Sequence, residues 1–258
     1  MFYVTLTTIF EKQDRCAFVL NHLLTNQTRQ PEKVLLHLSE EPYLLDKGFA
    51  NKQITHPQLN QVLEKFSDRI EIRWVKNIGS YRKLIYTMKD LWESESLMIT
   101  IDDDFVYNKN LFENLLNDYE REQCSINYRG FTSNVTSFET MNQFQYQVFR
   151  KIIHNRSVYN FSTNGAGTVF SSSMFKEVKD LFFREDIFMK HCSTGDDIWY
   201  NLMRVLAKQD LYIRNYQWHD RDLLDMRTSL YERYNKFNDN NSLLWRNTFN
   251  RLRFIMED

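Results

Sequence analysis

At 258 residues, with 33 basic against 34 acidic side chains and a formal charge of −1, the chain can bury a large core and carries no global field that would draw it to nucleic acid. Three scattered cysteines, Cys16, Cys124 and Cys192, are odd in number and lack metal-ligand spacing, which argues against a disulfide framework and fits a reducing compartment. Aromatic residues make up 15%, while glycine (6) and proline (3) are scarce, as in a packed globular domain without low-complexity linkers.

Taken in chain order, FYVTLTTI (Phe2–Ile9) is β-branched and aromatic and reads as a strand. Phe18, Leu20, Leu23 and Leu24 recur at near-helical spacing, which predicts a helix over about 15–25. A second strand, KVLLHLS, is entered through Pro31, and a polar stretch with Pro42, Gly48 and Pro57 follows. Leu59, Val62, Leu63 and Phe66 predict a second helix, IEIRWV a third strand, and Leu84, Ile85, Met88, Leu91 and Trp92 a third helix opening after Gly79. LMITI is a fourth strand, with Leu111, Leu115 and Leu116 marking the helix behind it. Strand and helix alternating in this way predict an α/β fold whose mainly parallel sheet is covered on both faces, with ligands at the carboxyl ends of its strands.

Beyond this point GTVFSS reads as a strand, 198–206 as a helix and LYIRNYQW as a late strand. The tail from about Arg221 mixes charges with Leu223, Leu230, Trp245, Phe249 and Leu252, which suggests helix packed on the domain. The division expected is therefore a main domain over 1–220 and a C-terminal helical extension over 221–258. No basic leader precedes a long apolar stretch at the start, and no apolar run nears the roughly 20 residues of a membrane span. A cytoplasmic protein is expected.

The densest charge lies in LMITIDDDFVY, where a buried strand runs into Asp102, Asp103 and Asp104. Three adjacent carboxylates repel and are costly to desolvate unless a cation sits among them. Hard oxygen donors suit Mg²⁺ or Mn²⁺, and such an ion bridging a diphosphate steadies it as a leaving group. The plain alternative is that the acids cap a following helix.

The ordered set VTLTTI, NIGSYRKL, MITIDDDFVY, GAGTVFSS and TGDDIWYNL, over roughly 2–220, resembles the GT-A class of nucleotide-sugar glycosyltransferases, and within it the small bacterial enzymes of surface-polysaccharide synthesis. The resemblance implies a Rossmann-like GT-A fold. Asp104 would bind the divalent ion, Asp102 the ion or the donor ribose, and Asp103 would lie with them. Thr7, Thr8 and Arg15 would lie near the nucleotide base, Arg15 a few residues out of its usual place, with Ser39 and Glu40 at the next strand tip. Asn77, Gly79 and Lys83 would flank the donor, a nucleotide-diphosphate sugar, with a UDP-sugar foremost. Lys83 suits a phosphate as a point charge, or is a solvated helix lysine. His219 is a candidate third metal ligand or a structural histidine. The other five histidines have no ligand spacing.

A second acid pair stands in STGDDIWYNLM. Thr194 and Asp197 fit a capping-box pattern, and an acid there is favoured by the helix dipole. By the resemblance, Asp197 would be the base taking the proton from an acceptor hydroxyl, kept ionised by the helix N-terminus, and Asp196 would orient the acceptor. Gly165 and Gly167 would shape the acceptor side or permit a tight turn, and Trp199 would stack on a sugar or sit in the core.

These residues together lead us to expect a metal-dependent, inverting glycosyltransferase acting on a hydroxyl of a glycan or lipid-linked acceptor, in bacterial surface-polysaccharide synthesis. DDDFV also satisfies the Asp-x-Asp-x-Val pattern of haloacid-dehalogenase-type phosphatases, with Asp102 and Asp104 in the active roles, though that motif usually lies on a first strand. A non-catalytic nucleotide-sugar or glycan-binding module is the other alternative. Arg246, Arg251 and Arg253 with the tail aromatics could dock the protein peripherally on the inner membrane face.

Overall fold

The structure is a computed structural model that describes residues 1–146, 154–223 and 229–257. Its first half alternates as the sequence predicts: β1 (Phe2–Thr7), α1 (Gln13–Asn26), β2 (Lys33–Leu38), α2 (Pro57–Lys65), β3 (Ile70–Trp74), α3 (Arg82–Asp90) and β4 (Leu97–Ile101). α2 opens on proline, whose missing N–H costs nothing in a first turn. Next come β5 (Phe105–Tyr107), α4 (Leu111–Glu122), β6 (Ser125–Asn127), β7 (Gly130–Thr132), β8 (His154–Ser157), β9 (Asn160–Ser162) and β10 (Ala166–Phe170). The chain then forms α5 (Lys179–Phe182), α6 (Glu185–His191), α7 (Asp196–Leu206), β11 (Leu211–Arg214), β12 (His219–Asp222) and α8 (Asn240–Glu257).

Eight strands form one sheet in the order β3-β2-β1-β4-β10-β6-β11-β8. β3, β2, β1 and β4 are parallel, β10 runs antiparallel between β4 and β6, and β11 returns parallel to β6. This is a mixed α/β architecture of GT-A type, with a mostly parallel sheet between helices. Alternation along the strands splits the core. Phe2, Val4, Leu6, Ile99 and Ile101 pack with α1 and α4 on one face, and Met98 and Phe170 join α3 and α7 on the other.

The late strand is shorter than predicted, ending at Arg214. The chain leaves the main sheet there because the Trp218 carbonyl accepts the Asn108 N–H (3.0 Å) and β12 pairs with β5 as an edge ribbon. The tail thus begins in a strand. Among the described residues it is helical at a π-type turn over Tyr231–Asn235 and at α8, which buries Trp245, Phe249 and Leu252 against the second core cluster. The Trp245 indole N–H donates to the Met141 carbonyl (2.9 Å), anchoring that helix. Among the described residues, no helix is long and apolar enough to cross a membrane.

Candidate active site

β1 and β4 are adjacent and parallel, so the residues just past their tips meet at one edge of the sheet. There Thr7, Thr8, Lys12 and Asp102–Asp104 line a crevice of about 500 Å³, whose far wall carries Gly195, Asp196 and Asp197 at the start of α7. No helix directly follows the three aspartates; the chain passes through a turn into β5. They therefore cap nothing. The buried Tyr107 hydroxyl fixes this turn by accepting the Asp102 N–H (2.8 Å) and donating to the Gly165 carbonyl (2.7 Å).

Each aspartate has a different partner. Asp102 Oδ1 meets Lys83 Nζ at 2.9 Å, Asp103 accepts the Thr8 hydroxyl, and Asp104 Oδ2 meets Lys12 Nζ at 3.1 Å, which also lies 3.6 Å from Asp103. Burial pushes Asp102 up, but the Lys83 ammonium outweighs it and holds the carboxyl below its usual range. Asp104 is different. Burial, opposed by Lys12 and reinforced by Asp103 and Asp102, lifts it to about 6.

Lys83 spans the crevice, with Nζ also 3.1 Å from Asp196 Oδ2, so one ammonium serves both acid clusters. Burial works to lower it and Asp102, Asp196 and Asp197 outweigh that, raising it well above the ordinary lysine value. It is a buried, paired lysine, unlike a solvated one. Asp196 Oδ1 further accepts the Ser80 hydroxyl (2.7 Å). Asp197 Oδ1 accepts the Asn164 N–H (2.9 Å). Its carboxyl is lifted to about 7 by burial first and Asp196 second, against Lys83 and that N–H. The helix N-terminus does not keep it ionised as expected, because desolvation and a neighbouring like charge outweigh a partial dipole. Thr194 makes no capping box either; its hydroxyl donates to Asn235 Oδ1 (2.8 Å).

Gly165 and Gly79 line the crevice as well. A Cβ at Gly165 would lie 1.8 Å from Asp102 Oδ2, so only glycine allows that carboxylate its position. Several expected residues are placed elsewhere. Gly167 lies inside β10 at φ +88°, where a Cβ would come within 2.9 Å of Leu115, so it shapes a strand irregularity in the core and no acceptor surface. Trp199 is fully buried with its indole N–H on the Phe182 carbonyl (3.2 Å), and cannot stack on a sugar. Arg15 is off the crevice wall, in the first turn of α1. Ser39 and Asn77 stand behind the wall; the Asn77 amide ties Glu41 O (2.7 Å) to Asp46 Oδ2 (3.1 Å). Glu40 is exposed and off the wall. His219 is also outside it, with Nε2 2.8 Å from Asp222 Oδ1 and its ring against Trp218.

Sequence reasoning missed Lys12, Asp46, Arg82 and Arg129 on the crevice wall. Lys12 was findable, since it follows the β1 tip at once. Asp46 and Arg82 form a buried ion pair (2.9 Å) that also accepts the Phe10 and Gly48 N–H groups (3.1 and 3.0 Å) and so fixes the loop bearing Tyr43, Leu44 and Leu45.

A divalent cation suits this donor set. The carboxylates are hard oxygen ligands, and Asp104 Oδ1 is buried without a hydrogen-bond partner. Asp104 and Asp102 would hold the ion. Among the described residues no group of three or more His, Cys, Asp or Glu side chains is arranged as a metal cluster, so substrate oxygens and water would complete the shell.

Sheet order, with an acid-lined crevice at the strand tips, defines a protein of GT-A fold. The Fringe-like family model matches residues 13–231, and the chain belongs to that family. No curated protein matches it significantly. Among solved structures, S. aureus TarS is 14% identical with a TM-score of 0.53 over 84% of this chain; the match spans about a third (36%) of TarS, and the likeness is one of fold. A 4-diphosphocytidyl-2C-methyl-D-erythritolsynthase from Anaerococcus prevotii DSM 20548 is 12% identical, with a TM-score of 0.49 over 92% of this chain and 96% of its own.

Proposed function

We propose that the protein transfers a sugar from a nucleotide-diphosphate donor to a hydroxyl of a glycan or lipid-linked acceptor, with Mn²⁺ or Mg²⁺ as cofactor and inversion at the anomeric carbon. One observation supports this above the others: a carboxyl at about 7 faces a carboxylate cluster across a single crevice, with a shared lysine between.

The nucleotide base would sit among Thr7, Thr8 and the Tyr43–Leu45 loop, which Asp46 and Arg82 hold still. Lys12 and Lys83 place two ammonium groups beside Asp104 and Asp102, where a diphosphate would arrive. A divalent ion bound by Asp104 and Asp102 would supply Lewis-acid cover for charge developing on that diphosphate. Asp197 accepts the proton of the attacking hydroxyl at a carboxylate oxygen. A base at about 7 is well matched to neutral pH, being both substantially ionised and strong enough to hold the proton. Asp196, fixed by Ser80 and Lys83, orients the acceptor beside it. By the same resemblance the setting is bacterial surface-polysaccharide synthesis.

A thermal-shift screen of nucleoside diphosphates and nucleotide sugars, with and without Mn²⁺, tests the proposal. The expected result is stabilisation by one nucleotide that needs the ion and is followed by nucleoside-diphosphate release. Phosphate release from a generic phosphoester, with no nucleotide bound, would overturn it in favour of phosphatase chemistry.

A further inference from the structure

Four basic side chains line the crevice among the described residues: Lys12, Arg82, Lys83 and Arg129. The first three each contact a carboxylate. Arg129 makes no ion pair among the described residues. Its guanidinium carbon instead lies 5.8 Å from the Phe105 ring centre and 5.7 Å from that of Trp218, both buried rings. Two aromatic faces hold the charge in place and leave its N–H groups unspent, an arrangement suited to a planar, bidentate anion.

Its backbone ties it to the acceptor half, while its charge also reaches Asp102. Arg129 lies in the link between β6 and β7, and its carbonyl accepts the Thr163 N–H (3.1 Å) and hydroxyl (3.0 Å). The next residue is Asn164, whose N–H holds Asp197. Arg129 and the proton acceptor are therefore set by the same short segment. The Tyr146 hydroxyl on the same wall is raised first by burial and further by Asp197 and is lowered by Arg129, so it feels both groups. Tyr146 and Tyr231, in ring contact with each other and with Tyr146 backed by the buried Phe161, add an aromatic surface to this side of the crevice, of the kind on which the apolar face of a sugar ring stacks. The donor side already has its own cations in Lys12 and Lys83.

We infer that Arg129 reads an anionic group, a carboxylate or phosphate, on the acceptor, so that the preferred acceptor is an acidic glycan. This rests on the glycosyl-transfer reading above and narrows its acceptor to a chemical class. A charge-assisted bidentate contact in a partly dehydrated crevice corresponds to at least about a tenfold preference over a matched neutral acceptor.

The test is a binding array of matched oligosaccharides that are neutral, carboxylated or phosphorylated, probed with wild type, Arg129→Gln and Arg129→Lys. UDP affinity in the presence of Mn²⁺ is measured in parallel by calorimetry. Wild type should prefer acidic over neutral glycans by about tenfold or more, and less so at high salt. Arg129→Gln should erase that preference, Arg129→Lys should keep part of it, and UDP affinity should move by less than about twofold in both. An array on which wild type binds acidic and neutral glycans alike, or neither, would overturn the inference, as would a preference surviving in Arg129→Gln. So would a loss of UDP affinity matching the loss on acidic glycans, since Arg129 would then serve the donor. Because the array needs no turnover, failure of UDP to bind wild type would count against the donor reading alone.

Discussion

Replacing Asp197 by asparagine should make the resting protein more stable while removing its activity. The carboxyl is lifted from an ordinary 3.8 to about 7, so the folded chain holds this proton more tightly than the unfolded one. Below about pH 3 both states are largely protonated and Asp197 costs almost nothing. As pH rises the unfolded chain ionises first, and stability falls until the folded carboxyl ionises near 7. Above that, the ionised group costs at most roughly 4 kcal/mol, at 1.36 kcal/mol per pH unit, an upper bound because Asp196 and Lys83 readjust with it. Asparagine removes that cost and keeps an acceptor for the Asn164 N–H, losing about 1–1.5 kcal/mol of charge assistance. The balance, about 2–3 kcal/mol, corresponds to roughly 5–10 °C in Tm for a chain of this size. Thermal unfolding of wild type and Asp197→Asn at pH 8 and pH 4.5, without ligands, reads this directly. The gain should be present at pH 8 and mostly gone at pH 4.5. A mutant no more stable at pH 8, or equally stabilised at both, would refute the desolvation account.

The same group sets the pH dependence of transfer. kcat/KM should fall as pH drops below about 7, and Asp197→Asn should lower it by at least about a hundredfold at pH 8 and flatten that limb. Asp104→Asn should abolish the Mn²⁺-dependent part of nucleotide-induced thermal stabilisation while the far-ultraviolet circular dichroism stays unchanged; a full metal response would remove Asp104 from that role. In Gly165→Ala the new methyl group displaces the Asp102 carboxylate that would lie 1.8 Å from it, so UDP affinity with Mn²⁺ should weaken by tenfold or more, as calorimetry would show. Trp199→Ala should cost about 3–5 kcal/mol in a denaturant titration without a selective change in acceptor KM, because the indole belongs to the core.

Much of the first half was legible because hydrophobic period and burial agree there. α1, β2 and β4 fall within two residues of the predicted ranges, and the tips of β1 and β4 converge as strand order requires. β5, β6, β7 and β9 are three residues each, too short to show a period, and β12 is a polar edge strand that reads as loop. At the site, the carboxylates stood out by their density. Arg129 did not, because nothing in Asn127–Gly130 marks a crevice until β6 and β7 place it opposite Phe105. Trp199 and Gly167 were misplaced for the opposite reason: each lies near a recognisable motif, but alternation along helix and strand turns it into the core.

The single ammonium of Lys83, shared between Asp102 and Asp196, has a bearing on the order of assembly. An arriving diphosphate competes for that ammonium, and whatever share it takes leaves Asp196 freer to turn toward an incoming hydroxyl. An acceptor arriving alone finds the same carboxylate still engaged. On the proposed glycosyl-transfer reading, the crevice would favour a sequential route in which the nucleotide sugar enters ahead of the glycan, with the lysine as the relay between their two halves.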